Sequence, residues 1–88
     1  MTTQTVQIKN KIGLHARPAS MLVNTAGKFE CDIKIKNGDR CATAKSMINL
    51  LALRAKKDDT ITIEANGSDE TEAIKALTDL INSKFGEE

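Results

Sequence analysis

Hydrophobic and polar positions alternate along this chain with two different periods. Val6 and Ile8 alternate with Thr5, Gln7 and Lys9, so residues 4–8 read as a strand with one buried face. Asn10 to Gly13 follows as a loop. Beyond it Ala19, Leu22, Val23 and Ala26 recur at the i, i+3, i+4, i+7 spacing of a half-buried helix, with Gly27 at its C-terminal end. Phe29 is placed to close over that end. Cys31, Ile33 and Ile35 then alternate with Asp32, Lys34 and Lys36 in a second strand; Asn37-Gly38 is a hairpin signal, and Arg40 to Ala44 return as a third.

Ser46 stands where an N-cap should stand, directly before Met47, Ile48, Leu50, Leu51 and Leu53. One face of so short a helix cannot bury all of them, and some of Met47, Ile48 and Leu51 are expected on the surface. Lys56 to Asp59 is a polar turn. Ile61, Ile63 and Ala65 alternate with Thr60, Thr62 and Glu64 as a fourth strand, which Asn66-Gly67 ends. Either Ser68 or Asp69 caps a last helix, Asp69 paired with Glu72 in a capping box. Its buried stripe is Ala73, Ile74, Leu77, Leu80 and Ile81, Gly86 is its stop, and Glu87 and Glu88 form a solvated tail. This order predicts an α+β fold. One apolar face per strand and one stripe per helix give an open-faced β-sandwich, a four-stranded antiparallel sheet with three helices packed on one face.

Eighty-eight residues make a single domain, 1–88, because a chain this short buries only about 60–65% of its unfolded surface and cannot divide into two cores. With no Trp or Tyr and two Phe, that core must be aliphatic. No apolar run approaches the ~18 residues of a membrane span, and Met1 to Thr5 carry no secretion signal. A cytoplasmic monomer without membrane insertion is expected. Any two-residue turn at Asn37-Gly38 pairs positions whose numbers sum to an odd value, which puts Cys31 and Cys41 on opposite sides and excludes a disulfide between them. Two such thiols and one histidine make no metal site, and no cofactor is expected. Charge is divided along the chain: residues 1–57 hold eleven Lys and Arg against three acids, residues 58–88 two against nine. The basic part suits an acidic protein partner. Nucleic acid fits poorly, since there is no dense basic run and almost no aromatic side chain for bases to stack on.

The chemistry gathers in Gly13-Leu14-His15-Ala16-Arg17-Pro18-Ala19, which holds the only histidine and the only proline. Proline is tolerated in a first helical turn and restricts the residue before it, so a helix starts here. If Ala16 is its first residue, His15 is the N-cap; if Pro18 is, Arg17 caps and His15 lies just outside. Either way the imidazole sits beside free backbone N–H groups and the positive end of a helix, a setting that binds phosphate and opposes a second positive charge. His15 therefore reads as a neutral nucleophile. Arg17 adds a planar fork of donors for phosphate oxygens, and the Ala16 and Arg17 backbone N–H groups complete the cradle.

That heptapeptide resembles the active-site signature of the histidine-containing phosphocarrier (HPr) family of the bacterial sugar phosphotransferase system, and Ala44-Lys45-Ser46 is similar to the family's regulatory serine site at the expected distance. The resemblance covers nearly the whole chain and implies the same open-faced sandwich. It implies that His15 accepts a phosphoryl group from phosphorylated Enzyme I, charged from phosphoenolpyruvate, and passes it to sugar-specific IIA domains, a relay and not a turnover enzyme. Ser46 would be a regulatory phosphorylation site, met by a serine kinase or phosphorylase and a catabolite-control transcription factor. Docking would use Ser20, Met21, Lys45, Met47, Ile48 and Leu51. A nitrogen-branch phosphocarrier and a regulatory paralogue binding through Ser46 are the alternatives. Relatives commonly carry glycine where this chain has Asn49, Arg54 and Asp58, departures that bear on partner preference.

Overall fold

The alternating stretches become four strands, β1 (Thr2–Gln7), β2 (Asp32–Asn37), β3 (Arg40–Thr43) and β4 (Thr60–Asn66), and the helical ones become α1 (Ala16–Ala26), α2 (Met47–Ala52) and α3 (Glu70–Asn82). The structure is a computed structural model and describes residues 1–11 and 13–86. All strand pairs are antiparallel, in the order β1-β4-β2-β3. Their register aligns the apolar faces: Val6 lies opposite Ile61, Ile63 opposite Ile35, and Ile35 opposite Ala42. The helices cover this one side of the sheet. Helix α3 packs on β1 and β4, and α1 packs on α3 and α2. Leu22, Leu50, Leu77 and Ile81 descend from the helices, fully buried, onto Ile33, Ile35, Ile61 and Ile63. The expected open-faced sandwich is the observed one.

The β2–β3 hairpin pairs Asn37 with Arg40 and Lys36 with Cys41, so its turn residues are Gly38 and Asp39, and Gly38 supplies a φ of +62°. Cys41 is exposed on the open face, while Cys31 is buried; both are free thiols. Burial, helped by the Asp69 carboxylate, pushes the Cys31 thiol up to about 11, which leaves it protonated and inert.

The C-terminal segment departs from its pattern in two places. Helix α3 stops at Asn82 instead of Gly86, because Lys84 and Phe85 adopt left-handed φ values of +59° and +56° and turn the Phe85 ring into the core, where it is 2% exposed. Burying that aromatic face outweighs continuing a polar helix. The solvated tail expected at Glu87 and Glu88 lies outside the described residues. Asp69 is the N-cap of α3 but makes no side-chain bond to it, and the capping box with Glu72 is not formed. Its carboxylate instead accepts the backbone N–H groups of Glu30, at 2.8 Å, and Cys31, at 3.0 Å. These donors belong to the turn entering β2. A charged acceptor shared between two of them forms stronger bonds than a local cap would.

The Glu30 N–H, foremost, holds the Asp69 carboxyl below the usual carboxylate range, and desolvation offsets only part of that shift. A depressed carboxylate stabilises the fold above its unfolded pKa, and the contribution disappears as pH falls through the folded value. Asp69→Asn is therefore expected to be less stable than the parent at pH 7 and to lose less stability on acidification. Urea unfolding at pH 7 and pH 3 checks this; parallel losses in both proteins would exclude the role.

Candidate functional site

Helix α1 begins at Ala16, and His15 is its N-cap, in an extended conformation with φ −105° and ψ −166°. Of the two starts the sequence allows, the earlier one is realised. The His15 carbonyl accepts the Ala19 N–H at 2.9 Å, and its half-buried imidazole makes no capping hydrogen bond to the helix. Pro18, the third helical residue, has no N–H to offer. The Ala16 and Arg17 N–H groups stay outside the helical ladder, and no acid occupies the first turn to compete for them. Arg17 is exposed. Two backbone donors and the helix dipole thus lie beside the His15 cap, with exposed Arg17 in the same first turn, a setting that receives an anion.

The loop before His15 is braced from both sides. Buried Asn10 donates through Nδ2 to the Gly13 carbonyl at 2.7 Å, and the Gly13 N–H donates back to the Asn10 carbonyl at 3.2 Å. Across the gap, the Leu14 N–H donates to the Ala55 carbonyl at 2.9 Å, and Ile8 exchanges bonds with Asp58 and Asp59 at 2.8 and 2.9 Å. Gly13 has a φ of +82°, and a Cβ there would lie 2.6 Å from the Ala55 oxygen. Asn10 and Ala55 position the site without touching phosphate chemistry, and the sequence reading passed over both. Asn10 placed three residues before Gly13 was the only local signal.

Helix α2 lies beside α1. Ser46 is its N-cap, half-buried, and its hydroxyl accepts the Asn49 N–H at 3.4 Å. Lys45 donates through Nζ to the Phe29 carbonyl at 2.8 Å, tying the start of α2 to the end of α1. Ile48 is 81% exposed and Leu51 39% exposed, while Met47 packs partly on the core, as do Ser20's neighbour Met21 and Phe29. Of the three positions where the resemblance leads one to expect glycine, Arg54 and Asp58 take left-handed φ values of +53° and +74°, whereas Asn49 lies within α2. A left-handed arginine costs about 1–2 kcal/mol that glycine would not.

The family described as "PTS HPr component phosphorylation site" matches this chain over residues 2–83. The chain belongs to the HPr family. Its relatives include the "Phosphocarrier protein HPr" of Neisseria meningitidis serogroup A, 42% identical over 99% of this chain and 98% of the relative. Among solved structures it is similar to an HPr from Thermoanaerobacter tengcongensis, with 48% identity, a TM-score of 0.96, and coverage of 100% and 99% of the two chains. An HPr dimer from the same organism matches at 47% identity and a TM-score of 0.80, over 99% and 100%. HPr proteins are phosphocarriers of the phosphotransferase system, so an anion-receiving histidine is the expected centre of this chain. Among the described residues no cluster of His, Cys, Asp or Glu could hold a metal, and no helix is long and apolar enough to cross a membrane.

Because Gly13 fits only without a Cβ, Gly13→Ala is expected to lower stability by more than about 1 kcal/mol through strain at positive φ and the clash with Ala55. Urea unfolding measures it. An unchanged midpoint would mean that the two loops are not packed as described.

Proposed function

We propose that this HPr-family chain relays a phosphoryl group through His15, from phosphorylated Enzyme I to the IIA domains of sugar permeases. The observation that carries this reading is the N-cap placement of His15 beside the free Ala16 and Arg17 N–H groups and the exposed Arg17 side chain. A ring nitrogen of His15 forms the new P–N bond with its lone pair. The P–N bond in the donor breaks, and its electron pair returns to the donor's ring. Arg17 and the two N–H groups stabilise the oxygens of the group in flight and, afterwards, the phosphohistidine. Nothing lost from the donor remains to be supplied by this chain, so it acts as a carrier in the cytoplasm and not as an enzyme.

Partners dock on the surface that surrounds the site. Ser20 and Met21 on α1 and Lys45, Met47, Ile48 and Leu51 at α2 provide it, with exposed Ile48 and Leu51 as the apolar contacts. Aliphatic and thioether side chains adapt to several partners. Ser46 is the regulatory serine of this surface, acted on by a serine kinase or phosphorylase and read by a catabolite-control transcription factor. A phosphate there gains from the dipole of α2 and leaves the fold intact, while its charge repels an acidic donor surface. The carrier works as a monomer, although the Thermoanaerobacter relative has been crystallised as a dimer.

Enzyme I and phosphoenolpyruvate are expected to add one acid-labile, base-stable phosphate to this chain. His15→Ala should abolish it and change stability little, by no more than the about 0.5–2 kcal/mol of a helix cap. Arg17→Ala should slow loading about tenfold or more. Radiolabel transfer checks both, and label persisting in His15→Ala would overturn the assignment. In the same assay Ser46→Asp is expected to slow loading, partly recovering at high salt, whereas Ser46→Ala loads normally and unfolds about 0.5–2 kcal/mol more easily. Equal loading rates would make Ser46 a cap and nothing more.

A further inference from the structure

Arg54 stands at a place where an arginine is disfavoured. It follows α2, is exposed, and holds a φ of +53°, a conformation that glycine adopts without strain. Its neighbour Ala55 is the residue whose carbonyl receives the Leu14 N–H, so the chain at Arg54 runs directly alongside the segment that ends in His15. The Arg54 N–H is bonded back to the Leu51 carbonyl at 3.3 Å, which fixes the backbone from which the side chain departs. Among the described residues neither Arg54 nor Arg17 forms an ion pair, whereas Glu64 and Glu70 are each engaged by a cation. Two exposed arginines without an ion pair among the described residues therefore leave backbone positions next to the His15 segment, Arg17 from the first turn of α1 and Arg54 from the residue before Ala55.

We propose that Arg54 is a second phosphoryl-binding residue of the His15 site, closing on the phosphohistidine oxygens from the side opposite Arg17. This rests on His15 being the phosphoryl acceptor. A phosphoryl group on a ring nitrogen carries three oxygens, and two backbone N–H groups with one guanidinium leave acceptor capacity unused. A second planar fork supplies it. The added charge stabilises the phosphorylated state, so this carrier should hold its phosphate longer and load more completely than the same chain with glycine at that position.

The experiment separates phosphoryl contact from partner docking by using two donors. Phosphoramidate loads His15 without any protein partner: the new P–N bond forms at the ring, the donor's P–N bond breaks, and ammonia leaves. Wild type, Arg54→Gly and Arg54→Lys are loaded this way, and the hydrolysis rate and ³¹P chemical shift of the phosphohistidine are read. Loading by Enzyme I and phosphoenolpyruvate is measured in parallel. Arg54→Gly is expected to fold at least as stably as the parent, because it relieves the left-handed strain, yet to hydrolyse about 3–10-fold faster with a displaced ³¹P resonance. Arg54→Lys should restore the hydrolysis rate in part, through charge without the fork. An unchanged hydrolysis rate and chemical shift in Arg54→Gly would overturn the proposal, and a defect confined to the Enzyme I reaction would assign Arg54 to the partner instead. Absence of phosphohistidine in the wild type with both donors would overturn the His15 reading itself, a separate and recognisable failure.

Discussion

The site depends on a backbone seam between two loops that are far apart in sequence. The Leu14 N–H reaches the Ala55 carbonyl, Ile8 exchanges bonds with Asp58 and Asp59, and Gly13 presses against Ala55 with no Cβ between them. This seam fixes where α1 begins and therefore where its dipole and free N–H groups point. It is also a direct extension of the β1–β4 pairing, whose last register pair is Gln7 with Thr60. The sheet thus serves the site as a ruler. Its hydrogen bonds set the separation between the loop that ends in His15 and the loop that follows α2.

Electrostatics divides along the same lines. Three acids of the C-terminal part are engaged by the protein's own donors: Asp69 holds Glu30 and Cys31, Glu70 holds Thr2, Gly67 and the terminal ammonium, and Glu64 pairs with Lys36. Among the described residues neither Arg17 nor Arg54 forms an ion pair. The three carboxylates are engaged by local structure in a chain whose formal net charge is +1.

Much of this was legible in the sequence. Periods and the hairpin signal located the four strands and three helices, Pro18 and the following stripe placed the start of α1 within two residues, and a two-residue turn at Asn37-Gly38, one residue before the observed one, still gave the register parity that separates Cys31 from Cys41. What was not legible depends on contacts between distant residues. Asp69 looks like a local cap, yet its carboxylate serves a turn some forty residues earlier. Gly86 looks like a helix stop, yet burial of Phe85 ends α3 sooner. The left-handed backbone of Arg54 comes from its place just after the C-cap of α2, where glycine is usual, and an arginine there gives no sign of it. Ala55 acts through its main-chain carbonyl, which every residue type possesses, and Asn10 braces Gly13 through an amide whose only sequence sign is its spacing from that glycine.

The seam also has a consequence for how a newly made copy of the protein comes into use. His15 and Arg17 leave the ribosome early, but the carbonyl that anchors Leu14 and the strand that completes the sheet beside β1 are made much later. Pairings between such distant segments form late in folding, after the loop-closure entropy has been overcome. An emerging chain therefore shows a partner the right heptapeptide in the wrong geometry. The anion-receiving geometry at the start of α1 is complete only together with the closed sheet.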